Sequence, residues 1–290
     1  MAGLDGDALT GNKRAMHADA LFDEAEAALR ANRIDEARAL FGRAGAAGRH
    51  DAAVIHCNLT ASAGDWAEGM RLLAGLALAD KRCRRQLELI QAMDLSATLR
   101  GEVVSEAPYL VFFHGLLTVE ECRYLAEAAA PMLVPSVVVD PASGVQRPDP
   151  VRLSDSAGFT LPLENPAVHA LNQRIAAASG TSWGQGEPLQ VLRYRPGGEY
   201  RPHFDAIPGF ANQRILTMIV WLSDGYEGGE TLFMKTGAKL KGRIGDALLF
   251  RNALPDGRRD PDSGHAGLPV TKGEKLIASR WIRARPFALA

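Results

Sequence analysis

The run RPHFDAI at positions 201–207 places an imidazole and a carboxylate one residue apart, at His203 and Asp205. On a β-strand, successive side chains point to opposite faces, so these two groups share a face while Phe204 points into the opposite packing layer. Burying both groups costs several kcal/mol unless something compensates, and a divalent cation is the strongest available compensation. A metal site is therefore one candidate explanation for this spacing.

A third ligand is found among the remaining histidines. Most of them fall in or beside helical segments, but His265 lies in a late strand, in the run SGHAGLPV. Two histidines and one carboxylate form the facial triad that leaves coordination positions open on non-haem Fe(II). For His-x-Asp alone, the favoured interpretation is a hydrogen-bonded pair in an ordinary sandwich, with His265 on an unrelated surface loop.

A lysine opens the last strand-like run, KLIASRWIR. Alternation places Lys275, Ile277, Ser279 and Trp281 on one face of that strand. An isolated lysine is more often solvated, yet a cation on this face could hold one carboxylate of a small diacid. Tyr194, in the strand before the turn that precedes His203, is close enough for its hydroxyl to help, and the alternative is a core tyrosine bonded to backbone.

The elements that must position these residues are mostly strands. Two helices precede them: one begins at Thr118, which forms a capping box with Glu121, and the other has Asn165 as its cap and Pro166 at its first position. Short strand-like runs with turn signals between them predict a closed β-sandwich or jelly roll. These runs are EPLQVLRYR, GEYRPHFD, ILTMIVWLS, ETLFM, AKLKGRI, DALLFR, HAGLPV and KLIASRWIR.

The first third of the chain differs in composition. From Ala18 to Leu99 it is rich in Ala, Leu, Arg and Glu, which favour helices. Segments 18–48 and 51–80 each indicate two helices and a short turn, with a spacing typical of tetratricopeptide or Sel1 hairpins. We therefore expect a helical region over 1–100 and a β domain over 101–290, an α+β organisation. Residues 18–99 are either a platform for a protein partner or a buttress or dimer contact.

Composition excludes several classes of function. The 33 Lys and Arg residues balance 34 Asp and Glu residues, and no local basic patch favours nucleic acid. Three scattered cysteines are poorly suited to a secreted disulfide framework and fit a reducing cytoplasm. Early acidic residues and the lack of long apolar runs argue against secretion and against membrane spanning.

Residues from about 109 to 287 resemble the prolyl 4-hydroxylase-type family of 2-oxoglutarate- and Fe(II)-dependent dioxygenases. The matching motifs occur in the order typical of the family and together are highly specific. They are VRLSDSAGFTLPLENP, LQVLRYRPGGEYRPHFD, WLSDGYEGGETLF, GDALLF, HAGLPVTKGEK and SRWIRARP.

The resemblance implies a double-stranded β-helix, the jelly roll of this family, with flanking helices. It implies Fe(II), 2-oxoglutarate and O2 as cofactor and cosubstrates, and suggests ascorbate as a reductant. The roles it implies are iron ligation by His203, Asp205 and His265; contact with the distal carboxylate of 2-oxoglutarate by Lys275, Tyr194 and Thr231; and a pocket aromatic at Trp281.

The implied reaction is hydroxylation of a C–H bond in a prolyl or other amino-acid residue, within a peptide or protein or in a free small molecule. Departures from the family pattern at Ala206, Met234 and Leu153 border the entrance and weaken the case for peptidyl-proline. Arg152 is a candidate substrate contact, and segments 140–158 and 206–214 are candidate lids.

Two rival functions remain open at this point. One is a non-catalytic jelly-roll module that holds a metal and uses the helices as an interaction platform; Lys275 and Tyr194 favour the enzyme, because a binder needs no cosubstrate anchor. The other is a halogenating or desaturating dioxygenase. Halogenation is disfavoured because Asp205 occupies the position that a halide would require.

Overall fold

A computed structural model describes residues 4–94, 100–139, 146–148 and 151–287. Two compact units can be distinguished among them. The first contains the chain up to Asp94 together with Thr160–Ala170, and the second contains the remaining described residues. A domain boundary at residue 100 stays a prediction.

The first unit is a stack of helices in which each packs on the next along the chain. Its core is formed largely by small and aliphatic side chains around Phe41, with Leu21 and Leu59 among them. The helices are α1 (Leu4–Arg30), α2 (Ile34–Ala46), α3 (His50–Ser62), α4 (Trp66–Ala77) and α5 (Lys81–Ala92).

Local signals explain where these helices begin and end. Asn32 adopts a positive φ of 56° in the turn between α1 and α2, a conformation that asparagine tolerates better than most residues. Asp65 and Asp80 accept hydrogen bonds from backbone N–H groups of the first turns of α4 and α5, which satisfies donors that have no partner within the helix. The predicted helix–turn–helix segments are confirmed. A tetratricopeptide or Sel1 class, and a partner or dimer contact, stay predictions.

The second unit is built from antiparallel sheets, and all eight strand-like runs of the sequence form strands. Beyond these eight runs, short strands lie between residues 102 and 159 and at Glu227–Gly228 and Val270–Lys272. The strands are β1 (Glu102–Glu106), β2 (Tyr109–Phe113), β3 (Val134–Pro135), β4 (Val137–Val139), β5 (Gln146–Pro148), β6 (Asp155–Phe159), β7 (Leu189–Tyr194), β8 (Tyr200–His203), β9 (Arg214–Trp221), β10 (Glu227–Gly228), β11 (Thr231–Phe233), β12 (Lys239–Leu240), β13 (Ala247–Arg251), β14 (His265–Gly267), β15 (Val270–Lys272) and β16 (Lys275–Arg283).

A large and a small sheet carry the site. Within the described residues, the large sheet has the order β1-β2-β13-β9-β16-β7-β6-β3 and the small sheet the order β12-β11-β14-β8. Their core cluster includes Ile219, Trp221 and Phe250 of the large sheet and Phe233 of the small one. This architecture is the predicted double-stranded β-helix.

Strand register brings distant residues together. In the small sheet His265 of β14 lies opposite His203 of β8, and in the large sheet Lys275 of β16 lies opposite Tyr194 of β7. Opposite positions in an antiparallel pair share a face, so each pair projects to the same side of its sheet. The register therefore places two histidines together and a lysine beside a tyrosine.

Two longer helices also belong to this part of the chain, α6 (Val119–Ala129) and α7 (Pro166–Ser179). The predicted capping box of Thr118 and Glu121 is present, and Asn165 accepts a hydrogen bond from the N–H of Val168. Both predicted helix starts are confirmed. After α7 the described helical turns are of the 3-10 type, at Trp183–Gln185 and Pro261–Ser263. Across the described residues, no helix combines the length and apolarity needed to cross a membrane.

Candidate metal and cosubstrate site

Three side chains converge at one end of the small sheet. Single ligand atoms of His203, Asp205 and His265 all lie within 4.8 Å of one another. Asp205 and His265 are each 4% exposed, and the side chain of His203 is 11% exposed. The structure thus brings together the three predicted metal ligands in a nearly water-free place.

Backbone carbonyls fix the orientation of both imidazoles. Nδ1 of His203 lies 2.8 Å from the carbonyl oxygen of Arg201, and Nδ1 of His265 lies 2.9 Å from that of Ser263. A carbonyl only accepts hydrogen bonds, so each Nδ1 carries the proton and donates it. Each Nε2 therefore keeps a free lone pair that points into the cluster, the arrangement found where histidine binds a metal.

The carboxylate of Asp205 lies between the two rings. Its Oδ1 is 3.6 Å from Nε2 of His203 and its Oδ2 is 3.8 Å from Nε2 of His265. Both distances are too long for good hydrogen bonds and leave room for an ion between the groups. The Thr217 hydroxyl donates to Oδ2 over 2.7 Å.

The charge states suit a cation. Burial lowers the pKa of His265 to about 4, against the opposing charge of Asp205, so this ring is neutral at pH 7. Burial opposes ionisation of Asp205, but the histidines and the Thr217 hydroxyl outweigh it and hold the pKa of this carboxyl well below its usual range. An ionised carboxylate facing lone pairs is compensated by a divalent cation, and two imidazoles with one carboxylate suit Fe(II).

The structure corrects the prediction for Phe204. Phe204 and Asp205 both lie just beyond the end of β8. Phe204 does not enter a packing layer, because it is 37% exposed and lies beneath the guanidinium of Arg259 at 4.0 Å. The prediction was wrong because it assumed a strand that continues through Asp205, whereas β8 ends at His203.

A narrow cavity extends from the metal cluster between the sheets. It is lined by His203, Asp205 and His265 at one end and by Lys275 beyond them. Lys275 is 3% exposed, and its Nζ donates to the carbonyl of Gly229 over 2.7 Å. Burial lowers the pKa of Lys275 to about 8, against the opposing charge of Glu230.

Gly229 has a structural reason to be glycine. Gly228 and Gly229 both have positive φ, 71° and 68°, a conformation that glycine adopts in tight turns at no steric cost. A Cβ on Gly229 would lie 3.2 Å from Cδ of Lys275. The turn therefore also leaves space for the lysine side chain.

The remaining predicted cosubstrate residues line the same cavity. Tyr194 and Thr231 are 4% and 3% exposed, and the Lys275 Nζ lies 5.2 Å from the Tyr194 ring centroid. Burial is the main cause that raises the pKa of Tyr194 above its usual value, so its hydroxyl keeps its proton and can donate. The face predicted for β16 is confirmed, because Ile277, Ser279 and Trp281 line the cavity with Lys275.

Trp281 is supported from outside the cavity. The Arg214 guanidinium stacks 4.3 Å from its ring centroid and is itself paired with Glu187 over 2.6 and 2.7 Å. The indole Nε1 has no hydrogen-bond partner within the described part of the chain. This indole is therefore held in place, and its N–H can still donate a hydrogen bond.

The ring of Tyr200 lies between Arg152 and the metal cluster. Its guanidinium is 5.5 Å from the ring centroid of Tyr200, and Tyr200 stacks on His203 at 3.4 Å. Arg152 lines a separate cavity with Asp155, Arg193 and others. The structure therefore does not place Arg152 in the cavity that Lys275 lines.

The two candidate lids differ in how far they can be followed. Residues 140–145 and 149–150 lie outside the described part of the first one. In the second, the Gln213 amide bonds both the N–H and the C=O of Ile207 at 2.7 Å, and Asn212 bonds the N–H of Arg285 at 2.9 Å. This second segment is anchored to the chain after β16, and a lid role for either stays a prediction.

Sequence analysis missed two polar residues near the ligands. Thr217 lines the cavity, and Asn252 lies behind Thr217 at 2.7 Å. Thr217 could have been found, because it shares strand parity with Ile219 and Trp221 on the inward face of an apolar run. The charged run 251–264 is exposed at Asp256 but buried at Asp260.

Comparisons with known proteins agree with this geometry. The sequence model of the 2OG-Fe(II) oxygenase superfamily matches residues 189–283, the stretch that carries the three clustered ligands and the lysine. A viral collagen prolyl hydroxylase from Paramecium Bursaria Chlorella virus-1, solved with 2OG, is 30% identical with a TM-score of 0.50, over 63% of this chain and 99% of that one. Fold and site thus define a 2OG-Fe(II) oxygenase.

Proteins of similar sequence identify the family within this superfamily. Prolyl 4-hydroxylase 1 of Arabidopsis thaliana is 37% identical over 206 residues, which is 64% of this chain and 73% of that protein. Probable prolyl 4-hydroxylase 3 of the same plant is 35% identical over 212 residues, 65% of this chain and 74% of the relative. The chain belongs to the prolyl 4-hydroxylase family of 2-oxoglutarate-dependent dioxygenases.

Family membership settles the class of chemistry. The protein is an enzyme that uses Fe(II), 2-oxoglutarate and O2. The non-catalytic metal-holding module is therefore not favoured.

Proposed function

We propose that this dioxygenase hydroxylates a C–H bond of an amino-acid residue, a prolyl residue foremost, in a peptide or protein, with a free amino-acid-like molecule as the alternative. The observation that carries the proposal is the convergence of His203, Asp205 and His265 in the lining of a cavity that a buried lysine also lines. A metal at one end and a cation at the other fit a short dicarboxylate between them.

Three residues hold the metal in this proposal. His203 and His265 offer Nε2 lone pairs, and Asp205 offers one carboxylate oxygen. Few protein ligands leave positions for cosubstrate and O2. The bound Fe(II) supplies the oxidising chemistry, with 2-oxoglutarate as co-reductant of O2, while the protein positions the target carbon and excludes water.

The other end of the cavity holds the cosubstrate. Lys275 pairs with the distal carboxylate through an N–H that its bond to the Gly229 carbonyl does not use. Tyr194 and Thr231 donate hydroxyl hydrogen bonds to the same group. Trp281 packs against the cosubstrate and offers its unpaired Nε1. These roles are supported by burial and by the shared lining of one cavity.

Substrate contacts lie outside that cavity. Arg152, close to Tyr200 beside the metal cluster, is the proposed contact for a substrate carbonyl or carboxylate. Leu153 and Met234 are about half exposed. Both are departures from the family pattern, so this surface differs from that of typical members. Prolyl 4-hydroxylase relatives support a peptide substrate. Ascorbate as a reductant and a cytoplasmic location stay predictions.

Metal ligation is tested by spectroscopy without turnover. Under anaerobic conditions, Fe(II) and 2-oxoglutarate should bind together and give a weak visible charge-transfer band. His265→Ala should abolish the band, and His114→Ala, which alters a histidine whose side chain is 76% exposed, should leave it intact. An unchanged band in His265→Ala would refute the ligand assignment.

The substrate class is tested by succinate release. The full-length enzyme should release more succinate with one of three additions: proline-containing peptides, free amino acids, or cell lysate. Arg152→Ala should raise the KM for the active substrate without changing the affinity for 2-oxoglutarate. Stimulation by free amino acids alone would exclude the peptide proposal.

A further inference from the structure

A chain of buried polar groups continues behind the carboxylate of Asp205. The Thr217 hydroxyl lies 2.7 Å from Asp205 Oδ2, and Nδ2 of Asn252 lies 2.7 Å from the Thr217 oxygen. Thr217 is 1% exposed and Asn252 is 0% exposed. Such a chain in the core is costly unless its members are paired, so its presence needs a reason.

Hydrogen-bond chemistry gives the chain a single direction. An ionised carboxylate only accepts, so the one hydroxyl proton of Thr217 must go to Asp205. The Thr217 oxygen must then accept its bond from Asn252, and the amide NH2 group of Asn252 has to face it. Asn252 therefore determines where the Thr217 proton points, and Thr217 determines which carboxylate oxygen is capped.

Capping one oxygen leaves the other for the metal. Oδ2 of Asp205 is engaged by Thr217, while Oδ1 is the oxygen nearer to Nε2 of His203, at 3.6 Å. Building on the metal site proposed above, we propose that Thr217 and Asn252 are positioning residues that hold Asp205 as a one-oxygen ligand through Oδ1.

Asn252 is also connected to the other buried ligand, through its backbone. Its carbonyl accepts from the N–H of Asp260 over 2.9 Å, and the carbonyl of Asp260 accepts from the Ser263 hydroxyl over 2.8 Å. The Ser263 carbonyl in turn orients Nδ1 of His265. The loop between β13 and β14 is thus hydrogen-bonded to the backbone of Asn252. Asn252 therefore helps to position both Asp205 and His265.

The unsatisfied amide oxygen of Asn252 makes a purely space-filling role for this residue a poor explanation. Its Oδ1 has no hydrogen-bond partner among the residues that the structure describes. An apolar residue of similar size would avoid that cost. What the amide provides in return is the directed bond to Thr217.

The test measures affinity for Co(II), which binds without turnover and reports coordination through its visible absorption. Thr217→Val removes the hydroxyl at nearly constant shape, and it should raise the Co(II) Kd about 10- to 100-fold with a changed spectrum. Thr217→Ser keeps the hydroxyl and should stay close to the wild type. Asn252→Leu should raise the Kd by a smaller factor.

The double variant separates positioning from simple packing. Because Asn252 acts on Asp205 through Thr217, adding Asn252→Leu to Thr217→Val should cause no further loss of Co(II) affinity. Additive losses, or wild-type Kd and spectrum in Thr217→Val, would overturn the positioning role. Asn252→Leu alone still decides the question if Thr217→Val does not fold. Failure of the wild-type protein to bind Co(II) would instead overturn the proposed metal site, and with it the positioning role of Thr217 and Asn252.

Discussion

Helix α3 of the helical unit and strand β9 of the β unit both bury hydroxyl groups, but they use them differently. In α3, the hydroxyls of Thr60 and Ser62 donate to carbonyls one helical turn back, at His56 and Asn58. In β9, Thr217 donates to a carboxylate twelve residues away along the chain, and its partner Asn252 lies just after β13. The first kind of bond is local and the second joins separate elements.

This contrast shows which buried polar groups indicate function. A hydroxyl that bonds its own helix is satisfied wherever the helix forms, and it directs nothing. Polar side chains that bond to other elements and converge on one cavity must be positioned by the tertiary structure. The β unit collects such groups around its cavity, with Asp205, His265 and Lys275 all 3% or 4% exposed.

The largest effect is expected from removing the buried cation. Lys275→Ala should raise the Kd for 2-oxoglutarate by about 100-fold or more, because a desolvated charge pair loses one partner. The Co(II) Kd should stay unchanged, since the lysine lies beyond the metal cluster. Calorimetry under anaerobic conditions would measure both. An unchanged Kd for 2-oxoglutarate would show that the anchor lies elsewhere.

A pH dependence follows from the same lysine. With a pKa near 8 in the free enzyme, Lys275 is protonated below that pH and loses its charge above it. The Kd for 2-oxoglutarate should therefore be flat below about pH 8 and rise roughly tenfold per pH unit above it. Lys275→Arg keeps its charge and should bind more weakly but with a flat profile. A flat wild-type profile up to pH 10 would contradict the lysine's role.

The smallest effect is expected in the helical unit. Thr60→Val makes the same change as Thr217→Val at an equally buried threonine, 3% against 1% exposed. It should lower the free energy of unfolding by less than about 1 kcal/mol, because the lost bond is local. Affinities for Co(II) and 2-oxoglutarate should not change. Equal losses of metal affinity in both variants would remove the distinction between the two units.

Much of the fold could be predicted because its signals are local. The strand runs alternate, Thr118 with Glu121 forms its own capping box, and Asn165 caps its own helix. Phe204 shows the limit of such reasoning. Alternation predicted a packing layer for it, but the strand ends before it and the side chain is 37% exposed.

The site divides in the same way. Residue types and spacing made His203, Asp205 and Lys275 candidates. The resemblance of the flanking motifs to a known family then favoured metal and cosubstrate roles over a hydrogen-bonded pair and a solvated lysine. Thr217 and Asn252 carry no such signal, since a threonine or asparagine is ordinary in a sequence. Their importance depends on a 2.7 Å separation between the side chain of Thr217 in β9 and that of Asn252 just after β13.

By itself, the sequence determined the strands and helices, the ligand types and the charge of the cavity, because these follow from side-chain chemistry and from periodicity along the chain. Only the tertiary structure decided that His265 lies opposite His203, that Lys275 is enclosed, and that one oxygen of Asp205 is capped. The reason is that register and burial are set by pairings between segments far apart in the chain, and no local pattern encodes the distance between them.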